Sequence, residues 1–287
     1  MINILKTEDT RLQDVNEEEI LAANIRFHRA EAEVYDIRHG ELFNAFTQRQ
    51  LRKIIKKTLT FFHKIPEMQA KREILALDCG AGTGNISGKM LMEGCIVDAV
   101  DISQEMLAVM GAKFKSKYDG RYRLINQDIN SFLSSKESKD YDLIAFSSTL
   151  HHVPDYRITF SQAIKVLKRP GIIMVLHEPL PKERTYIGSL STAIRKIDRF
   201  VWKYKGKILR KKGLKEPISD MDAYLTDFHS RTGGVNPEAF LQLININGGE
   251  VLQYSENSEN MRHCWSAWLD NFLSLRKDGY HLVVLFR

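Results

Sequence analysis

Leu75-Ala76-Leu77-Asp78-Cys79-Gly80-Ala81-Gly82-Thr83-Gly84-Asn85 is the stretch from which the rest of the chain can be read. An apolar run ends in an acid, passes through three alternate glycines and enters an amphipathic segment. Glycine lets the backbone turn tightly and lets a ligand approach without meeting a Cβ. The helix beyond offers N–H groups that have no intrahelical partner. A plain strand-to-helix turn would look the same, so the surroundings must decide. The dinucleotide fingerprint G-x-G-x-x-G needs a last glycine for close helix–strand packing. Counted from Gly80 that position is Asn85, and counted from Gly82 it is Ser87, so the fingerprint does not fit. What stands here is G-x-G-x-G with Asp78 two residues ahead.

Working outward, apolar runs predict strands at Ile74–Asp78, Cys95–Asp101, Tyr122–Asn126, Tyr141–Ser147 and Gly171–Glu178. Helical periodicity falls between them, near Asn85–Glu93, Ser103–Lys117, Ser131–Ser135 and Tyr156–Leu167. This alternation implies parallel βαβ units and a doubly wound α/β sheet. Upstream, Glu17–Arg38 and Glu41–Phe62 read as helices, separated by His39-Gly40, with Pro66 ending the second. Downstream the alternation stops until Asn236-Pro237-Glu238, where Asn caps a helix and Pro opens it. Strands at Gly249–Tyr254 and Tyr280–Arg287 follow, with only Met261–Leu275 between them, which suggests an antiparallel edge. The expected organisation is an N-terminal helical cap over 1–70 and a sheet domain over 71–287, with a lid inserted at 180–233.

The chain has 287 residues, of which 43% are hydrophobic and 27% charged, enough apolar mass to bury a core without disulfide or metal staples. No apolar run approaches the ~20 residues of a membrane span. The N-terminus has no basic region leading into an apolar stretch, so a secretory signal is not expected and the cytoplasm is the default location. Cys79, Cys95 and Cys264 make neither a disulfide framework nor a CxxC. The net charge of +6 is concentrated: Arg195–Lys215 carries ten Lys/Arg and one acid, Asp198, so the rest of the chain is at −3. That is not a nucleic-acid-binding composition spread over the whole chain.

Five motifs in order, over Glu73 to Glu178, resemble the class I S-adenosylmethionine-dependent methyltransferases. They are Asp78–Gly84, then Val97-Asp98-Ala99-Val100-Asp101-Ile102-Ser103, then Gln127-Asp128-Ile129. Tyr141–Ser147 with Leu150-His151-His152-Val153, and Leu167-Lys168-Arg169-Pro170-Gly171, complete the set. The resemblance implies a Rossmann-like seven-stranded sheet of order 3-2-1-4-5-7-6 with the last strand antiparallel. It implies S-adenosyl-L-methionine as cofactor and S-adenosyl-L-homocysteine as product. Asp78, Gly80, Ala81 and Gly82 would form the cofactor loop. An acid ending the second strand can accept both ribose hydroxyls, which assigns Asp101; Ser103 is the better cap for the helix beyond. Asp128 would accept from the adenine amine and Ile129 N–H would donate to the ring. Ile102 and Met106 could sandwich the adenine or be ordinary helix-face core. Ser147 ends the fourth strand at the same sheet edge. Tyr35 is expected over the cofactor, since family members bring an aromatic from such an N-terminal helix.

The catalytic candidates are His151 and His152, either as base or as substrate orienter, with a packing role as the competing reading. His177 and Glu178 have a weaker claim at the same edge. No His/Asp/Glu group has metal-ligand spacing, so a metal is not expected. There is no Pro-Cys dipeptide for pyrimidine C5 chemistry, and Ser147-Ser148-Thr149-Leu150 replaces the motif of amino-directed nucleic-acid methyltransferases. The expected acceptor is a small molecule, methylated on O, N or C. An RNA-directed enzyme and a cofactor-binding protein without transfer activity are the alternatives. Finally, Ile187, Leu190, Ile194, Ile197, Val201, Tyr204 and Ile208 form one apolar stripe at helical spacing beside many cations. The stripe is expected to pack over the sheet edge as a lid; contact of 187–215 with an anionic membrane surface is the rival.

Overall fold

The computed structural model describes residues 16–69, 73–136, 140–209, 218–227, 233–259 and 261–287. Seven strands form the main sheet: β1 (Leu75–Cys79), β2 (Ile96–Asp101), β3 (Tyr122–Asn126), β4 (Tyr141–Ser147), β5 (Leu167–Pro179), β6 (Gly249–Asn257) and β7 (Gly279–Phe286). Their order is 3-2-1-4-5-7-6, as the motif resemblance implies. Strands β1 to β5 are parallel, and β7 runs antiparallel to both β5 and β6. The central strands are buried on both faces, which is why they read as continuous apolar runs.

In chain order the helices are α1 (Glu17–Glu31), α2 (Ala45–Phe62), α3 (Asn85–Met92), α4 (Gln104–Phe114), α5 (Ile129–Ser134), α6 (Tyr156–Val166), α7 (Ser189–Leu209), α8 (Asp220–Thr226), α9 (Pro237–Ile246) and α10 (Cys264–Phe272). On one face of the sheet, Leu51, Ile55 and Phe62 of α2 share a core with Ala76, Met90 and Met174. On the other, Phe160 of α6 and Phe240 of α9 join Leu77, Phe146 and Ile173. Helix α2 is therefore part of the core that covers the sheet.

The N-terminal region departs from the two long helices expected. Helix α1 stops at Glu31, and short turns at Tyr35–Arg38 and Gly40–Phe43 precede α2, which is capped by the Asn44 side chain accepting from Thr47 N. A tertiary contact explains the break. The buried Glu31 carboxylate meets His39 Nε2 at 2.9 Å while Glu41 meets Nδ1 at 3.0 Å. Burial opposes a charge on His39, but these two partners win and raise its pKa to about 9.

Helix α7 corrects the expected lid packing. The Tyr204 and Ile208 side chains lie outside the described residues. Of the rest of the stripe, Ile194 is 6% exposed, but Leu190 is 53% and Ile197 55% exposed, next to Phe200 at 71%. Among its described side chains, α7 buries Ser191, Ile194 and Asp198. Asp198 accepts from the N–H groups of Arg262 and His263, lies 2.9 Å from His263 Nδ1, and accepts from the Ser266 hydroxyl. Those groups form the N-terminal end of α10, where a carboxylate is favoured. The buried acid sets which face of α7 packs: Ile194 goes in beside it, Val201 is half-buried, and Leu190 and Ile197 face outward. Helix α10 likewise leaves Trp265, Trp268 and Phe272 exposed.

Candidate cofactor and acceptor site

The carboxyl ends of the parallel strands open into a cavity of about 860 Å³, mouth included. This is where open α/β sheets bind ligands. Its floor is the glycine turn. Gly80, Gly82 and Gly84 all have positive φ, at +73°, +54° and +88°. A Cβ at Gly80 would meet Thr149 at 2.4 Å, and one at Gly84 would meet Met110 and Phe114 at 2.8 Å. At Gly82 no atom of the described residues lies within 4 Å. Gly80 and Gly84 thus serve close packing, whereas Gly82 keeps the cavity side of the turn clear.

Asp78 is fully buried, and its carboxylate accepts from Ser87 N at 2.8 Å and Ser87 Oγ at 2.6 Å. It thereby serves the start of α3, whose cap residue Gly84 has no side chain to offer. Burial pushes Asp78 up to about 6. Asp101 Oδ2 accepts from Gly82 N and Oδ1 from Ser103 N, both at 2.8 Å. Burial raises Asp101 to about 6 as well. Ser103 does cap α4, its Oγ accepting from Met106 N. Asp128 caps α5 by accepting from Ser131 N. Tyr35, Asp78, Gly80, Ala81, Gly82, Asp101, Ile102, Met106, Asp128, Ile129 and Ser147 all line this one cavity.

Leu21, Asn24 and His28 enter the same cavity from α1 and had not been singled out. Their spacing of three and four residues puts them on one helix face, which was the available signal. Among the described residues, the His28 Nδ1 and Asn24 Oδ1 atoms are buried without a protein hydrogen-bond partner. Such orphans call for an explanation, and a polar ligand supplies one. Burial lowers His28 to about 4, so the ring is neutral. The Tyr35 ring packs 4.2 Å from that of His39 and edge-on to Phe43.

Of the two histidines, His152 lines the cavity and His151 does not. His151 Nδ1 lies 2.8 Å from Glu178 Oε2, and the Glu178 carboxylate also accepts from the N–H groups of Thr149, Leu150 and His151. His152 Nδ1 donates to Thr226 O at 2.5 Å. Burial, and then the neighbouring His151 and His28, hold the His152 pKa well below the ordinary imidazole value. A ring that resists protonation is a poor proton acceptor. His177 is buried with Nδ1 3.4 Å from Glu259 and does not reach the cavity.

Residues 76–171 match the model of the methyltransferase domain family, and the sheet around them has the class I methyltransferase fold. The demethylmenaquinone methyltransferase of Staphylococcus haemolyticus is 31% identical over 122 residues, 42% of this chain and 49% of that protein. The chain spans about half the length of the curated relatives it matches. The 1,6-didemethyltoxoflavin-N1-methyltransferase of Burkholderia thailandensis, solved with S-adenosylhomocysteine and 1,6-didemethyltoxoflavin, superposes with a TM-score of 0.54 at 12% identity, covering 95% of this chain and 91% of that one. A [4+2]-cyclase shares the fold at a TM-score of 0.50 and 14% identity, covering 84% and 80%.

Gly82→Val should raise the dissociation constant for S-adenosylhomocysteine by at least roughly 30-fold, because branched methyls would stand where nothing now does. Calorimetry on the folded variant reads the change; affinity equal to wild type would remove Gly82 from the cofactor's path.

Proposed function

We propose that this protein transfers a methyl group from S-adenosyl-L-methionine to an O, N or C atom of a small molecule. The observation that carries the reading is Asp101, a buried carboxylate braced by Gly82 N and Ser103 N at the edge of a cavity floored by a glycine turn. Asp101 would accept from the ribose diol, Asp128 and Ile129 would meet the adenine, and Ile102 and Met106 would flank it. The cofactor supplies an electrophilic sulfonium methyl. The chain's part is alignment, which can be worth about 7–11 kcal/mol. The orphaned Asn24 and His28 atoms would face the acceptor, and Tyr35 would lie over the cofactor. The cap over 1–70 and the segment 180–233 would close the site, through α8 rather than the α7 stripe, since Thr226 already touches His152. Binding of S-adenosylhomocysteine by calorimetry, followed by a labelled-methyl screen over phenols, amines and enols, tests the reading. Failure to bind the cofactor ends it; binding without transfer to any acceptor would favour the non-catalytic alternative, which the fold alone permits.

The open α7 face favours a second feature, contact with an anionic membrane surface. Leu190, Ile197 and Phe200 are exposed on a helix that carries Lys196, Arg199 and Lys203, an arrangement suited to the headgroup boundary. No helix of the described residues is long and apolar enough to cross a membrane. The protein should co-sediment with phosphatidylglycerol vesicles and not with phosphatidylcholine vesicles. Phe200→Glu with Ile197→Glu should cut the bound fraction by roughly tenfold or more. Equal sedimentation with both lipids, or none, would return α7 to a solvated surface.

A further inference from the structure

We propose that His151, His152 and Asp227 form a divalent-metal site at the acceptor end of the cavity. Among the described residues, one ring nitrogen of each histidine and one Asp227 carboxylate oxygen lie within 4.8 Å of one another. The surroundings of the two rings fit this role. His151 Nδ1 faces the buried Glu178 carboxylate at 2.8 Å, and His152 Nδ1 faces the Thr226 carbonyl at 2.5 Å. Both partners are acceptors, so each Nδ1 is the donor and each Nε2 is left for a ligand. A metal-binding histidine typically donates its other N–H to a carboxylate or a backbone carbonyl, and one of each is present here. Asp227 directly follows Thr226, so the residue that orients His152 also carries the third ligand into place. Residue spacing hides the group, because Asp227 lies far down the chain, beyond β5 and α7.

Two imidazoles and one carboxylate suit a borderline cation such as zinc, iron(II), cobalt(II) or manganese(II) better than magnesium or calcium, which favour all-oxygen sets. Three protein ligands leave coordination positions open. His152 lines the cavity, so those positions would face the acceptor. The ligand class that follows is an acceptor with an oxygen donor, a phenolate, enolate or carbonyl, held by the cation beside the cofactor. This last step rests on the methyl-transfer reading; the metal site itself does not.

The test uses the full chain and cobalt(II) or zinc alone, with no acceptor present. The expected result is one equivalent bound by calorimetry, with cobalt absorption bands typical of nitrogen and oxygen ligands. Asp227→Asn and His152→Ala should each abolish that equivalent, and Cys264→Ser should leave it intact. Binding of S-adenosylhomocysteine by Asp227→Asn is measured alongside; its retention shows a folded pocket and keeps the cofactor reading separate. The proposal is overturned if wild type binds no stoichiometric metal, if the ligand variants bind as wild type does, or if thiolate-to-cobalt bands place the ion on cysteine.

Discussion

Asp101→Ala should weaken S-adenosylhomocysteine binding by about 2–3 kcal/mol, or roughly 30- to 150-fold, because it would remove the charge-assisted hydrogen bonds that the proposed site gives the ribose. The same carboxylate braces the glycine turn through Gly82 N and the start of α4 through Ser103 N, so the free protein should also lose stability. Asp101→Asn separates the two roles, since it retains one oxygen and removes the charge. The pH dependence has a definite sign. Burial raises Asp101 from 3.8 to about 6, so the folded chain holds this proton more tightly than the unfolded chain does. On its own the group therefore favours folding below its unfolded pKa, and that contribution is lost as pH rises from about 4 through about 6. Cofactor binding runs the other way, since the ionised form is the better acceptor for two hydroxyl donors. Affinity should fall as pH drops through about 6, and the fall should be absent in Asp101→Asn. Asp78 is raised to the same range, but its carboxylate is committed to Ser87. A pH profile unchanged in Asp101→Asn would assign the effect to another group and remove Asp101 from the ribose.

The sheet and the glycine turn that floors the cavity were legible because their determinants are local. A strand ending in Asp, three alternate glycines and a second strand ending in Asp101 before Ser103 fix backbone shape within a few residues. The acceptor end was not, because its determinants come from contacts distant in sequence. Glu31 and Glu41 meet across His39, and α1 ends at Glu31 where periodicity alone carries it on to Arg38. Helix α7 shows the limit of periodicity most clearly. Seven apolar residues at spacings of three and four argue for a buried stripe. Asp198, the single acid in a basic segment, turns Leu190 and Ile197 out and leaves Ile194 in, because a buried carboxylate must find donors and the start of α10 provides them. A lone acid within a basic amphipathic run was the signal, and it pointed to the face that packs.

Glu178→Ala should be the most destabilising of these substitutions, at about 3–5 kcal/mol. The Glu178 side chain is fully buried at the end of β5, and it organises the turn after β4. Its Oε1 accepts from Thr149 N at 2.7 Å and Leu150 N at 3.0 Å. Its Oε2 accepts from His151 N at 3.3 Å and faces His151 Nδ1 at 2.8 Å. Removing the carboxylate strands three buried backbone donors and one imidazole, and each costs its desolvation. Glu178→Gln should fall between. Its carbonyl can keep the Thr149 and Leu150 bonds, but its NH₂ group then points at two donors, His151 N–H and Nδ1–H. A loss of about 1–2 kcal/mol is expected, along with a change of tautomer in His151. Denaturant melts of the two variants against wild type measure the ordering. The turn they loosen carries Ser148, in a left-handed conformation with φ of 51°, as well as Thr149 against Gly80 and His152 against the cavity. A disturbed turn therefore moves the packing on the glycine loop, so both variants should lose cofactor affinity in the same order as stability. If Glu178→Gln were as stable as wild type and bound cofactor equally well, the carboxylate would not be what holds this turn.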